Sequence, residues 1–195
     1  MIKTTAMMLE ELRDYGNPRM KLSRMVRDGE IYSVVKGLYE TDRNTPAHLL
    51  AGSVYGPSYI SFEYALSFYG LIPEGVYTVT CAAFDKKKKK EYNTDFGTFT
   101  YRDVPSAAFP LEVRLIREGD YFYRIAGPEK ALCDKLCTVP PVRNIKEMAE
   151  LLTADLRIDE DDIASLDFET VQQLSERYRS GNVKRLAAYM RRLAR

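Results

Sequence analysis

Arg19, Lys21, Arg24 and Arg27 crowd one short segment, with Ser23 among them and Lys36 a little further on. Lysine and arginine neutralise phosphates, and an arginine fork also pairs in two-pronged fashion with a guanine edge. Between residues 18 and 38 these five cations face only Asp28 and Glu30, an excess of three positive charges. At about 100° per residue, Arg19, Met20, Ser23, Arg24 and Arg27 fall on one side of a helix, opposite Leu22, Met25 and Val26. The chemistry on offer is DNA binding through Arg19, Ser23, Arg24 and Arg27, with Lys21 and Lys36 on backbone phosphates. The plainer alternative is a solvated helix face.

Other chemistries find less support. His48 is the single histidine and has no serine or cysteine motif to serve, since G-x-S-x-G is absent. Neither a Walker A sequence nor G-x-G-x-x-G occurs. Cys133 and Cys137 share a helical face, with Cys81 distant, but zinc wants four ligands and the spacing supplies no second pair. Their expected role is as small buried hydrophobes. Asp159 and Asp162 open a helix, where carboxylates favour the dipole. No catalytic residue, cofactor or metal is expected, and the chain is not expected to be an enzyme. Lys86–Lys90 could meet phosphates or an acidic partner, but a five-lysine run between strands is more simply a solvated hairpin tip. The 14 tyrosines include Tyr55, Tyr59, Tyr64 and Tyr69 in one stretch, expected to be mainly core.

The elements that must position the basic residues follow from periodicity. Met8, Leu9, Leu12 and Tyr15 give a first helix its apolar face. Gly16-Asn17-Pro18 stops it and starts the helix 19–28. Residues 31–34 and 38–39 flank a turn at Val35-Lys36-Gly37. Helix, turn, helix and hairpin in that order match a winged helix-turn-helix, whose second helix enters a major groove.

Beyond polar residues 41–46, taken as a boundary, the pattern changes. Short helices are expected at 47–54 and 62–69, the latter with Phe62, Ala65, Leu66 and Tyr69 inward. Strands are expected at 59–61, 76–82 and 98–104, and a hairpin at 111–117 and 121–125 about Glu118-Gly119-Asp120. This middle reads as a mostly antiparallel sheet. Helices follow at 128–137, 145–152, 160–166, 169–179 and 183–193. Their charge is segregated: residues 155–169 hold seven acids and only Arg157, whereas Lys184, Arg185, Arg191, Arg192 and Arg195 have no acid among them in the last helix. The expected fold is α+β, with a DNA-binding module over 1–45 and a second domain over 46–195. That second domain would hold the sheet to about 137 and a helical tail over 144–195.

A length of 195 residues, 45% of them hydrophobic, suffices to bury a core, and a formal charge of +1 discriminates nothing. Three cysteines without a secretory leader, and no apolar run of membrane-spanning length, point to the cytoplasm and away from membranes.

The middle of the chain carries a resemblance. Ile60-Ser61, Ala65-Leu66 and Gly70-Leu71, then Glu129-Lys130-Ala131-Leu132-Cys133-Asp134, with Gly37-Leu38-Tyr39 after the wing, resemble the AbiEi-type antitoxins of bacteria. It spans roughly residues 8–136 and rests on the order of motifs rather than on any one. It implies an antitoxin of a type IV toxin-antitoxin system, acting in abortive infection and phage defence. Such a protein binds inverted repeats in operator DNA, represses its own operon, and counters a nucleotidyltransferase-like toxin without needing a stable complex with it. Only two helices precede the wing here, so a third is absent or supplied by 47–54. Two rivals remain open: a protein-binding adaptor whose partner surface is the acidic stretch 159–169 with the basic last helix, unless these two pair with each other, and an enzyme that reverses the toxin's modification.

Overall fold

Each N-terminal helix begins where the sequence supplies a cap. In the computed structural model, which describes residues 1–193, strand β1 (Ile2–Thr4) runs straight into helix α1 (Thr5–Glu11). The Thr4 hydroxyl accepts from the Met7 amide at 3.3 Å. Asn17 caps α2 (Pro18–Arg27) in the same way, accepting from the Met20 amide at 3.0 Å, and Pro18 occupies the first turn, where its missing N–H is harmless. Strands β2 (Tyr32–Val35) and β3 (Leu38–Glu40) form a hairpin whose turn needs the φ of +88° at Gly37. β1 pairs with the other edge of β3, giving an antiparallel sheet of order β1-β3-β2. Three residues of Ile-Lys-Thr are too short for alternation to announce this strand.

Met8, Leu12, Leu22 and Ile31 pack as a small core, with Leu9, Met25, Val26 and Tyr39 half-buried around it. Tyr15, expected on the same face, is 52% exposed. α1 ends at Glu11, so helical spacing no longer carries to residue 15. Val34 and Leu38 turn instead into the larger core.

That larger core belongs to a six-stranded sheet of order β6-β7-β5-β4-β9-β8. Its strands are β4 (Ser58–Ile60), β5 (Val79–Ala83), β6 (Lys90–Thr94), β7 (Gly97–Asp103), β8 (Val113–Glu118) and β9 (Tyr121–Ala126). The sheet is mixed: three of its pairings are antiparallel, as the mostly antiparallel expectation has it, but β5 runs parallel to β7 and β4 parallel to β9, which corrects that expectation at these two. Alternation marks a strand but not its direction, which the connections set. The Lys86–Lys90 stretch is accordingly not the tip of a hairpin between neighbours. It carries the chain from β5 past β7 to the sheet's edge, and Lys90 already belongs to β6. β5 also starts later than expected, leaving Tyr77 outside it and 93% exposed.

Helix α3 (Ala47–Val54) buries Leu49, Leu50, Ala51 and Val54 in the large core, and its Ala51 carbonyl accepts from the Tyr101 hydroxyl at 2.7 Å. It is therefore not a third helix for the small N-terminal core. Helix α4 (Phe62–Phe68) follows β4 directly, with Phe62, Ala65 and Leu66 inaccessible to solvent. α5 (Pro128–Leu136) is nearly all buried. α6 (Ile145–Glu150) passes into a single π-helical turn over Leu151–Asp155, then α7 (Glu160–Ser165), α8 (Phe168–Arg177) and α9 (Gly181–Leu193) complete the chain. Leu152, Ile163, Val171, Leu174, Val183 and Leu186 share one core with the sheet, so this region is an integral layer rather than a tail. Buried Asn182 fastens the loop before α6: its amide donates to the Leu136 and Pro140 carbonyls, both at 3.1 Å, and accepts from the Val142 amide at 2.9 Å. Among the described residues no helix is long and apolar enough to cross a membrane.

Candidate nucleic-acid interface and a buried polar cluster

α2 presents Arg19, Met20, Ser23, Arg24 and Arg27 to solvent, because Leu22 is drawn into the small core on the opposite side. The six residues expected to meet DNA are not equally free. Arg19, Arg24 and Lys36 have no carboxylate partner among the described residues, and an Arg24 Nη lies 3.4 Å from the Met20 sulfur. Arg27 holds its neighbour Asp28, Nε to Oδ1 at 2.8 Å and Nη2 to Oδ2 at 3.3 Å; this hydrogen bond raises the guanidinium pKa and lowers that of the carboxyl. Lys21 is half-buried, 3.4 Å from Glu30 and 6.0 Å from the centre of the Tyr15 ring. Ser23 donates its hydroxyl proton to the Arg19 carbonyl one turn back, at 3.0 Å, leaving its oxygen as an acceptor. Lys36 is exposed in the turn between β2 and β3.

The acids of α1 could have cancelled this charge, but they are engaged elsewhere. Glu10 pairs with Arg13 at 2.7 Å and Glu11 with Lys3 at 2.6 Å. Such exposed pairs are worth little energetically. Their effect here is geometric, for they leave Arg19 and Arg24 uncompensated on an open face that also carries the apolar side chain of Met20, 51% exposed. An array of this kind can hold phosphates with its charges and touch base edges with Arg24 and Met20.

The second assembly joins three stretches far apart in sequence, so spacing shows at most that Lys130 and Asp134 lie one helical turn apart. Asp134 and Lys130 of α5, Tyr59 of β4, Ser61 just after it and Tyr178 at the end of α8 meet in the interior. Asp134 and Lys130 are both at 0% exposure. The Asp134 carboxylate accepts from Ser61 Oγ at 2.7 Å, Tyr59 OH at 3.0 Å, Lys130 Nζ at 3.1 Å and the Tyr178 hydroxyl. Lys130 also donates to the Tyr178 oxygen and lies 4.7 Å from that ring's centre and 5.4 Å from that of Tyr59. Burial, then the nearby Asp134 charge, pushes both tyrosine hydroxyls far above their ordinary pKa, so they act as donors. Ser61, Lys130 and Asp134 are among the motif residues that carry the resemblance, and with Tyr59 and Tyr178 they form one satisfied polar knot. Almost wholly buried, it ties helices to sheet.

The remaining candidates resolve simply. His48 Nε2 lies 3.0 Å from Glu118 Oε2, and its ring sits edge-on to Tyr123 with centroids 5.0 Å apart. Cys81 and Cys133 are buried and Cys137 is half-buried. Burial raises all three thiol pKa values, that of Cys137 to about 11. Among the described residues no group of three or more His, Cys, Asp or Glu is placed to hold a metal ion. In the C-terminal region Tyr189 donates to Glu160 at 3.1 Å and Arg191 to Gln172 at 3.0 Å, contacts that join no acid to a base. Arg195 lies outside the described residues. Compared with known proteins, the sequence matches no family model and no curated protein.

Proposed function

We propose that this chain is a DNA-binding antitoxin of a bacterial type IV toxin-antitoxin system, acting in the cytoplasm. Its N-terminal unit serves as a winged helix that binds inverted repeats in its own operator and represses the operon. The rest of the chain counters a nucleotidyltransferase-like toxin. The observation that carries the DNA-binding half is the open face of α2, where Arg19 and Arg24 stand without carboxylate partners while the acids of α1 are paired elsewhere. The element order β1-α1-α2-β2-β3, with β3 central in its sheet and Lys36 in the β2–β3 turn, supports the winged arrangement. The antitoxin half rests on the motif resemblance alone, to which the meeting of Ser61, Lys130 and Asp134 adds that the motifs form one unit.

A gel shift with the DNA immediately upstream of the gene tests the reading. Arg24→Ala with Arg27→Ala abolishes the shift while leaving the circular dichroism spectrum unchanged. If about four phosphates are engaged, affinity falls roughly 100-fold between 50 and 200 mM salt. Unchanged operator affinity in the double variant removes the recognition-helix assignment.

A further inference from the structure

A cleft of about 550 Å³ opens where α4, the β5–β7 strands, α5 and the π-helical turn converge. Its floor is rich in donors. Lys135 Nζ lies 2.7 Å from Glu63 Oε1, and Arg102 Nη2 lies 3.4 Å from Glu63 Oε2. One carboxylate thus serves two cations, leaving a surplus positive charge and most of the arginine fork unused. The guanidinium is steadied over the Phe62 ring, 5.0 Å from its centre. Phe62 itself is fully buried with a φ of +56°, a left-handed conformation rare for an aromatic residue and one that sets the direction of Glu63. Two residues before Arg102 on the same side of β7, the Thr100 hydroxyl lines the cleft, shielded from solvent and without a hydrogen-bond partner.

The rim has a different character. Tyr77 is 93% exposed, a bare aromatic face beside a donor-rich floor. On the wall formed by the π-helical turn, Asp155 has no ion-pair partner among the described residues, whereas nearby Glu74 is taken by Arg157. Single π turns often occur where a helix is bent for function. An anion at Arg102, Lys135 and Thr100, a flat ring on Tyr77 and an N–H donor toward Asp155 together describe one kind of ligand. A volume of this size suits a molecule of a few tens of atoms.

We propose that the cleft binds a nucleoside monophosphate, the phosphate on Arg102, Lys135 and Thr100, the base stacked on Tyr77 and its exocyclic amino group on Asp155. This rests on the cleft and not on the DNA-binding reading. Calorimetric titration of the full chain with AMP, GMP, CMP and UMP separately, and with inorganic phosphate, tests it. At least one of the amino-bearing nucleotides binds saturably below 1 mM, which is about −4.1 kcal/mol. UMP, which lacks the amino group, binds at least threefold more weakly than the best of them. Tyr77→Ala, a change at an exposed side chain, weakens that nucleotide at least tenfold without altering the thermal midpoint, and Arg102→Gln also weakens it tenfold. No saturable binding by any of the four overturns the proposal. So does binding that inorganic phosphate matches, or that Tyr77→Ala leaves unchanged. Operator affinity in Tyr77→Ala stays at the wild-type value.

Discussion

Replacing Asp134 with alanine removes an acceptor shared by four donors, and the structure sets the scale of the damage. Lys130, at 0% exposure, is left without its counter-charge, and breaking a buried pair in this way costs about 3–5 kcal/mol. The Ser61, Tyr59 and Tyr178 hydroxyls lose their acceptor together, each worth about 1–3 kcal/mol if nothing replaces it. These losses overlap, so about 4 kcal/mol or somewhat more is expected, a large share of the roughly 5–15 kcal/mol that holds a typical domain together. Lys130→Met is milder, about 1–3 kcal/mol, because three hydroxyls still serve the carboxylate. Lys130→Met with Asp134→Leu leaves no buried charge, so its loss, which still includes the three orphaned hydroxyls, falls at least about 1 kcal/mol short of the sum of the two single losses. Urea unfolding followed by circular dichroism and tyrosine fluorescence reads these differences. With a slope of about 3 kcal/mol/M, Asp134→Ala lowers the midpoint by roughly 1.3 M. An Asp134→Ala loss below about 1 kcal/mol, or a double variant whose loss is the sum of the singles, refutes the account of the cluster as a coupled unit.

Three further outcomes concern other parts of the molecule. Burial pushes the Glu63 carboxyl up, but the hydrogen bond and charge of Lys135 with the charge of Arg102 outweigh it, and its pKa lies below the ordinary value. Its contribution to stability is therefore present above the unfolded pKa of about 4.3 and fades as pH falls through the lower folded value; wild type and Glu63→Gln differ most near pH 7 and converge in acid, and a constant gap down to pH 3 would contradict this. Asn17→Ala removes the α2 cap, costs about 1 kcal/mol and speeds exchange of the Met20 amide roughly fivefold; unchanged exchange by NMR would sink the capping argument. With Cys81 and Cys133 buried and the Cys137 pKa raised to about 11, all three thiols react with a disulfide reagent at pH 8 far more slowly than in urea, and a fast native thiol would show that one of them is open.

Local chemistry was enough to specify the two helices and the hairpin of the N-terminal unit, though not β1, and most of the later helices. Asn17-Pro18 starts α2, Gly37 makes the β2–β3 turn, and the apolar spacing in α2 assigns Leu22 inward and Arg24 outward; each depends on residues within a turn or two of one another. Features that depend on partners distant in the chain were legible only in the folded molecule. Strand direction in the six-stranded sheet, the placing of Lys86–Lys90 as a crossover and the absorption of the C-terminal helices into the main core all turn on which strand or helix lies alongside. The same holds for charge. Composition gives α2 its arginines and spacing alone allows the i,i+3 pair of Glu10 with Arg13, but only the fold brings Lys3 of β1 to Glu11, and the two pairs together leave Arg19 and Arg24 free. Helical periodicity is a short-range property written into neighbouring residues, whereas an ion pair or a buried knot joining Ser61 to Asp134 and Tyr178 exists only once the chain has closed upon itself.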